Sequence, residues 1–154
     1  MSSLREQINE GLKKGLREKD QCAISTIRLI MAALKDKDIA ARSKGTGEQI
    51  SETEILSLLQ SMIKQRRESV QAYRDAGRDD LADREEAEIA VIEQFLPRQL
   101  EGEELENVVD ATIAELGVSD IKEMGTVMQT LKQRYAGRLD MSRASRVVRE
   151  KLPA

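Results

Sequence analysis

The sequence predicts an all-α protein, and three observations carry that expectation. The aromatic fraction is 2% with no Trp, whereas β-rich cores draw heavily on aromatic and β-branched side chains. Good helix formers dominate, and 34% of the residues are charged. Apolar residues recur every three or four positions between cap signals and glycine stops.

The elements follow in order. Ser3 and Glu6 make a capping-box pattern, and Leu4, Ile8, Leu12 and Leu16 form one stripe of a first helix running to about Arg17. Asp20 is the expected N-cap of a second helix reaching about Arg42. Its middle, Ile24, Ile27, Leu29, Ile30, Met31 and Leu34, is apolar nearly all round, which predicts the most buried helix. After a loop at Ser43–Gln49, a second capping box, Ser51 and Glu54, opens a long helix with Ile55, Leu58, Leu59, Met62, Ile63 and Val70 inward. Gly77 ends it, Asp79 is expected to cap the fourth helix, and Pro97 stops that one. Together they make an antiparallel hairpin with a very short turn.

Beyond Pro97 the texture changes to three short helices with Gly-based turns. The first carries Leu105, Val108, Val109, Thr112, Ile113 and Leu116. The next, capped by Ser119, carries Ile121, Met124, Val127, Met128 and Leu131. The last, capped by Asp140, carries Ala144, Val147, Val148 and Leu152. These read as a compact bundle. The expected organisation is therefore an N-terminal long-helix and hairpin domain, residues 1–97, and a small C-terminal helical bundle, residues 98–154.

Several chemistries are disfavoured. A single Cys forms no internal disulfide and gives no zinc spacing, and the absence of His removes the usual proton shuttle. Cys22, the one conceivable thiol nucleophile, opens an apolar helix without a partner base, so an inert thiol is expected. Gly45 and Gly47 are not followed by the Gly-Lys-Ser/Thr of a phosphate loop. Glu101, Glu103, Glu104 and Glu106 read as a solvated first turn rather than a Mg²⁺ site. No catalytic residue, metal or cofactor is expected. The N-terminus has no apolar leader and the longest apolar stretch is too short to span a bilayer, so a cytoplasmic, membrane-free protein is expected; a monomer is the expected oligomeric state.

Charge is unevenly spread. Residues 1–97 carry sixteen basic and eighteen acidic side chains, residues 98–123 two and eight, and residues 124–154 seven and two. The basic run Lys64-Gln65-Arg66-Arg67 faces the acidic run Glu85-Glu86-Ala87-Glu88 across the hairpin, which predicts interhelical ion pairs. In the C-terminal segment Arg143, Arg146 and Arg149 fall opposite the apolar face of the last helix, with Lys132, Arg134 and Arg138 arriving from the preceding helix and turn. These six are candidate phosphate contacts, because an Arg fork matches a phosphate. A solvated basic face is the competing reading. No aromatic platform accompanies the patch, so shape and backbone recognition of folded RNA fits it better than base stacking.

Several motifs in order resemble the YqeY (GatB/YqeY) family over essentially the whole chain. They are Lys19-Asp20, Lys64-Gln65-Arg66-Arg67-Glu68-Ser69, Ala76-Gly77-Arg78-Asp79-Asp80-Leu81, Phe95-Leu96-Pro97-Arg98-Gln99-Leu100, Met124-Gly125 with Val127-Met128, and Gly137-Arg138 with Asp140. The resemblance implies a helical N-terminal domain followed by a tail domain shared with the B subunit of glutamyl/aspartyl-tRNA amidotransferase, where the tail is associated with holding tRNA. Thr126, Gln129, Lys132 and Gln133 depart from the usual tail pattern. The function this implies is a tRNA-binding accessory protein without its own catalytic centre, its partners tRNA and tRNA-synthetase or amidotransferase components. Two alternatives stand beside it: an amidotransferase-like carbon–nitrogen ligase activity with glutamine as amide donor, and a helical protein–protein scaffold.

Overall fold

Each predicted helix forms. The computed structural model describes residues 2–153 and, among these, contains seven α-helices, one 3-10 turn and no strand. The all-helical expectation holds. The chain divides into two compact units, residues 1–96 and 97–154, each with its own apolar core.

In the first unit, α1 (Leu4–Glu18) begins where Ser3 Oγ accepts from the Glu6 N–H at 3.1 Å. It ends at Lys19, which adopts a left-handed conformation at φ 57°. Asp20 then caps α2 (Gln21–Lys44), accepting from the Ala23 N–H at 3.1 Å. Gly11 permits a close approach: a Cβ there would lie 2.9 Å from Phe95 Cζ and 3.3 Å from Ile27 Cδ1. The full capping box of Ser51 and Glu54 starts α3 (Glu52–Asp75). Gly77, at φ 72°, lets the chain reverse, and the Arg78 N–H donates back to the Tyr73 carbonyl at 2.8 Å.

Three local expectations are corrected. Arg78, not Asp79, occupies the cap position of α4 (Asp79–Glu93) and gives it no side-chain cap. Asp79 instead accepts from Arg74 Nη1 at 3.1 Å. Burial all round α2 is not found, because α1, α3 and α4 cover only part of its circumference; Leu29 stays 49% exposed. Leu16, at the end of the α1 stripe, is likewise 49% exposed.

α3 and α4 pack along each other, and of the expected contacts between the basic run and Glu85–Glu88 the Arg66–Glu88 pair forms, while Arg67 reaches Glu93 outside that run. Arg66 Nε lies 3.1 Å from Glu88 Oε2, and Arg67 Nη2 lies 3.4 Å from Glu93 Oε1. Arg74 gathers Asp79, Asp83 and Glu86 at 3.0–3.3 Å.

A junction invisible to periodicity ties the other helices together. Asp38 of α2 is buried, accepts both Arg5 Nη1 and Nη2 at 3.0 and 2.9 Å, and also accepts the Ile50 N–H at 2.9 Å. Arg5 donates further to the Ile50 carbonyl at 3.3 Å, and Glu52 receives the Leu4 N–H at 3.2 Å. The Arg5 guanidinium holds the Asp38 carboxyl below its ordinary value.

The second unit packs α5 (Gly102–Leu116), a 3-10 turn (Ile121–Glu123), α6 (Met124–Arg134) and α7 (Met141–Lys151) around Val109, Val127, Leu131, Leu139 and Val148. Ser119 does not cap α6. Asp120 takes the Lys122 N–H at 3.0 Å and starts the 3-10 turn, which leads into α6.

Two outcomes are expected. A fragment of residues 97–154 folds on its own, since its core shares no residue with the first unit; at this size it is only marginally stable. Helical circular dichroism with a cooperative melt checks it, and an unfolded fragment refutes it. Asp38→Ala destabilises the first unit by about 2–4 kcal/mol, because Arg5 and the Ile50 N–H are both left without their acceptor. The native Asp38 pKa lies below the unfolded one. Its contribution is thus complete above the ordinary carboxylate range and lost as pH falls below about 4. In urea melts of wild type and Asp38→Ala across pH 2.5 to 7 (a window set by the ordinary Asp value of about 3.9), the stability gap narrows toward the acid end.

Candidate nucleic-acid interface

The six basic residues singled out by the sequence do not share one environment. Arg143, Arg146 and Arg149 lie exposed along α7, whose opposite side buries Ala144 and Val148. Asp140 fixes the start of that helix by accepting the Ser142 and Arg143 N–H groups at 2.9 and 3.3 Å. Those amides are therefore already used, and the helix offers its side chains rather than its N-terminus.

Among the described residues the Arg146, Arg149 and Lys132 side chains have no hydrogen-bond or ion-pair partner, and all three residues are exposed. Arg143 is loosely held, with Glu101 at 3.5 Å and Asp140 at 3.8 Å. Pairs this long and this exposed contribute little and are readily exchanged for another anion.

Arg134 and Arg138 are otherwise engaged. Arg134 makes a two-point contact with Glu115 of α5, Nη2 to Oε1 at 2.7 Å, which lowers the Glu115 pKa and raises that of Arg134. Arg138 Nε donates to the Arg98 carbonyl at 3.1 Å, while the Leu100 N–H donates to the Arg138 carbonyl at 2.8 Å. Gln99 Nε2 adds a 2.6 Å bond to the Gly137 carbonyl. Two sequence motifs are thereby explained as one object: Arg98-Gln99-Leu100 is laced to Gly137-Arg138 within the second unit. Lys151 is also spoken for, by Asp110 at 2.8 Å.

The α5 carboxylates thus select which cations remain available. Sequence reasoning missed this selection, although the acidic segment beside the basic one signals it. Cys22 is half-buried against the first unit's core. Among the described residues no group of three or more His, Cys, Asp or Glu side chains could hold a metal ion, and no helix is long and apolar enough to cross a membrane.

These features define a two-unit helical protein whose second unit presents a row of uncommitted cations. The chain belongs to the YqeY family, whose model, described as Yqey-like protein, matches residues 5–152. It is similar to the protein named Altered inheritance of mitochondria protein 41, mitochondrial, of Lachancea thermotolerans, with 30% identity over 79% of this chain and 62% of that one. The protein of that name in Eremothecium gossypii is 31% identical over 71% of this chain and 58% of that one. The Kluyveromyces lactis protein is 29% identical over 86% and 67%. The chain thus spans about three fifths of the length of the first two relatives.

The cytoplasmic assignment is corrected by these relatives, which are named mitochondrial proteins. It rested on the lack of an apolar leader, which bears on secretion alone: a mitochondrial transit segment is amphipathic and Arg-rich instead.

Gln99→Ala combined with Arg138→Ala lowers the stability of the second unit by roughly 1–2 kcal/mol, the net worth of two partly exposed hydrogen bonds. Thermal melts of the full chain read this as an earlier transition. An unchanged melt would show that the lacing does not hold the unit together.

Proposed function

We propose that this chain is a tRNA-binding accessory protein that grips phosphates through the exposed face of α7 and has no catalytic centre of its own. The observation that carries the reading is the row of Arg146 and Arg149, uncommitted among the described residues, with Arg143 loosely paired beside them. Three cations at three-residue spacing rise about 4.5 Å per step along the helix. They present guanidinium forks, which suit phosphate oxygens, without an aromatic side chain to stack a base. Membership of the YqeY family supports the reading through the tail resemblance set out above. Lys132 is a further contact, whereas Arg134 and Arg138 serve the fold.

Three or four phosphate contacts by Lys132, Arg143, Arg146 and Arg149 give a log–log salt slope of roughly −2 to −3.6, at about 0.7–0.9 per contact. Affinity is modest, because the α5 carboxylates repel the same backbone. Arg146→Glu with Arg149→Glu weakens tRNA binding and flattens the slope by about 1.5 or more while helical content is unchanged. A salt titration of tRNA binding on the folded variants decides it. Salt-independent binding, or equal binding by wild type and variant, removes the proposal.

A further inference from the structure

The first unit divides electrostatically where the sequence total conceals it. Residues 1–44 carry ten basic and six acidic side chains, whereas residues 45–97 carry six and twelve. On the α3–α4 side, Arg66, Arg67, Arg74 and Arg78 all have carboxylate partners. On α2 none of Arg28, Lys35, Lys37, Arg42 and Lys44 has an ion-pair partner within 4.0 Å among the described residues. All five are exposed.

Their placement is ordered. At 100° per residue, Arg28, Lys35 and Arg42, seven residues apart, form one edge of the solvent face of α2, and Lys37 and Lys44 form the other. Between the edges lie Leu29, Ala32, Ile39 and Ala40, all exposed, with Asp36 at the middle. Leu29 and Ile39, 49% and 44% exposed, are two of the three exposed large hydrophobic residues among the described residues, and the third, Leu16, lies at the end of α1. Ten residues separate Leu29 from Ile39, about 15 Å along the axis. Ala32 between them and Ala40 just past Ile39 are low points on this face, either side of Asp36.

We infer that this face of α2 docks an acidic amphipathic helix of a partner protein. Acidic residues on the partner's edges meet the Arg28–Lys35–Arg42 and Lys37–Lys44 edges. Its aliphatic residues cover Leu29 and Ile39, and one Lys or Arg near its middle meets Asp36. The lone carboxylate separates this occupant from the others. An anionic lipid surface or an RNA backbone lying along the face would press its own negative charge onto Asp36, and neither RNA phosphate nor its hydration gains from two aliphatic side chains. A second copy fails on symmetry. In a two-fold antiparallel contact each edge of the face meets its own counterpart, so Arg28, Lys35 and Arg42 would oppose themselves.

The test places a photo-crosslinking amino acid at Ala32 in the full chain, expressed in its own cells, with the same group at exposed Ser61 of α3 as control. The expected product, identified by mass spectrometry of the crosslinked peptide, is a net-negative segment with aliphatic residues at three- and four-residue spacing. A synthetic peptide of that segment then binds the purified full chain. Arg28→Glu with Lys35→Glu weakens it at least tenfold, as does Leu29→Ser with Ile39→Ser, while circular dichroism is unchanged. Asp36→Lys weakens it severalfold, although it adds positive charge to the face. A crosslink to RNA, lipid or a second copy overturns the inference. So does a non-acidic segment, no product above the Ser61 control, or tighter binding by Asp36→Lys. The tRNA titration on α7 variants is independent of all these outcomes, so either reading can fall without the other.

Discussion

Asp38 is a charge the first unit cannot bury alone, and the way it is satisfied sets where three segments meet. A carboxylate removed from water needs more than one donor to offset its desolvation. Here it takes both guanidinium arms of Arg5 and the Ile50 N–H. Arg5 is in the first turn of α1, Asp38 near the end of α2, and Ile50 just before α3. One carboxylate therefore fixes the register of the α1–α2 pair at the end opposite its Lys19–Asp20 turn, and anchors the return of the Ser43–Gln49 loop. Apolar packing alone would tolerate sliding along α2; a two-point ion pair does not.

The same economy recurs in the α3–α4 hairpin and the second unit, where carboxylates capture cations and so decide what is left over. In the hairpin nearly every Arg is captured, and the result is a registered pair of helices. In the second unit, α5 engages Arg134 through Glu115 and Lys151 through Asp110, and Glu101 just before it holds Arg143 loosely. What remains on α6 and α7 is a mixed set: Arg134 and Lys151 are closed, Arg143 is loosely held, and Lys132, Arg146 and Arg149 are open among the described residues. A net charge of +5 over residues 124–154 overstates the charge a ligand meets.

How much of this the sequence disclosed depended on the range of the interaction involved. Caps and stops are local, and Ser3, Asp20, Ser51, Gly77 and Gly117 act as their residue types require. The Arg66–Glu88 pair was legible because hairpin geometry follows from a short turn. Asp79 and Ser119 were misplaced by one residue each, since a neighbouring residue could take the cap position and did. The exposure of Leu16 and Leu29 was not legible: a wheel shows where the apolar side chains point, but not how many neighbours arrive to cover them. Arg134 and Arg138 were read as phosphate contacts for the same reason. Their partners, Glu115 and the Arg98 carbonyl, are nineteen and forty residues away.

Leu29 and the α2 cations share one cause. A helix flanked by α1, α3 and α4 over only part of its surface has a free side, and selection for folding alone would fill that side with alternating charges. The carboxylates that could neutralise Arg28 and Lys35 are instead concentrated on α3 and α4, where several hold the hairpin, and Asp38, four residues before Arg42, is taken up by Arg5. Moving even two of those acids to four-residue spacing on α2 would add about 0.2–0.5 kcal/mol per pair to that helix. A face that forgoes this stabilisation and keeps two large aliphatics in water is more unfavourable alone than it needs to be. Docking of an acidic, apolar helix on this face would remove that residual cost.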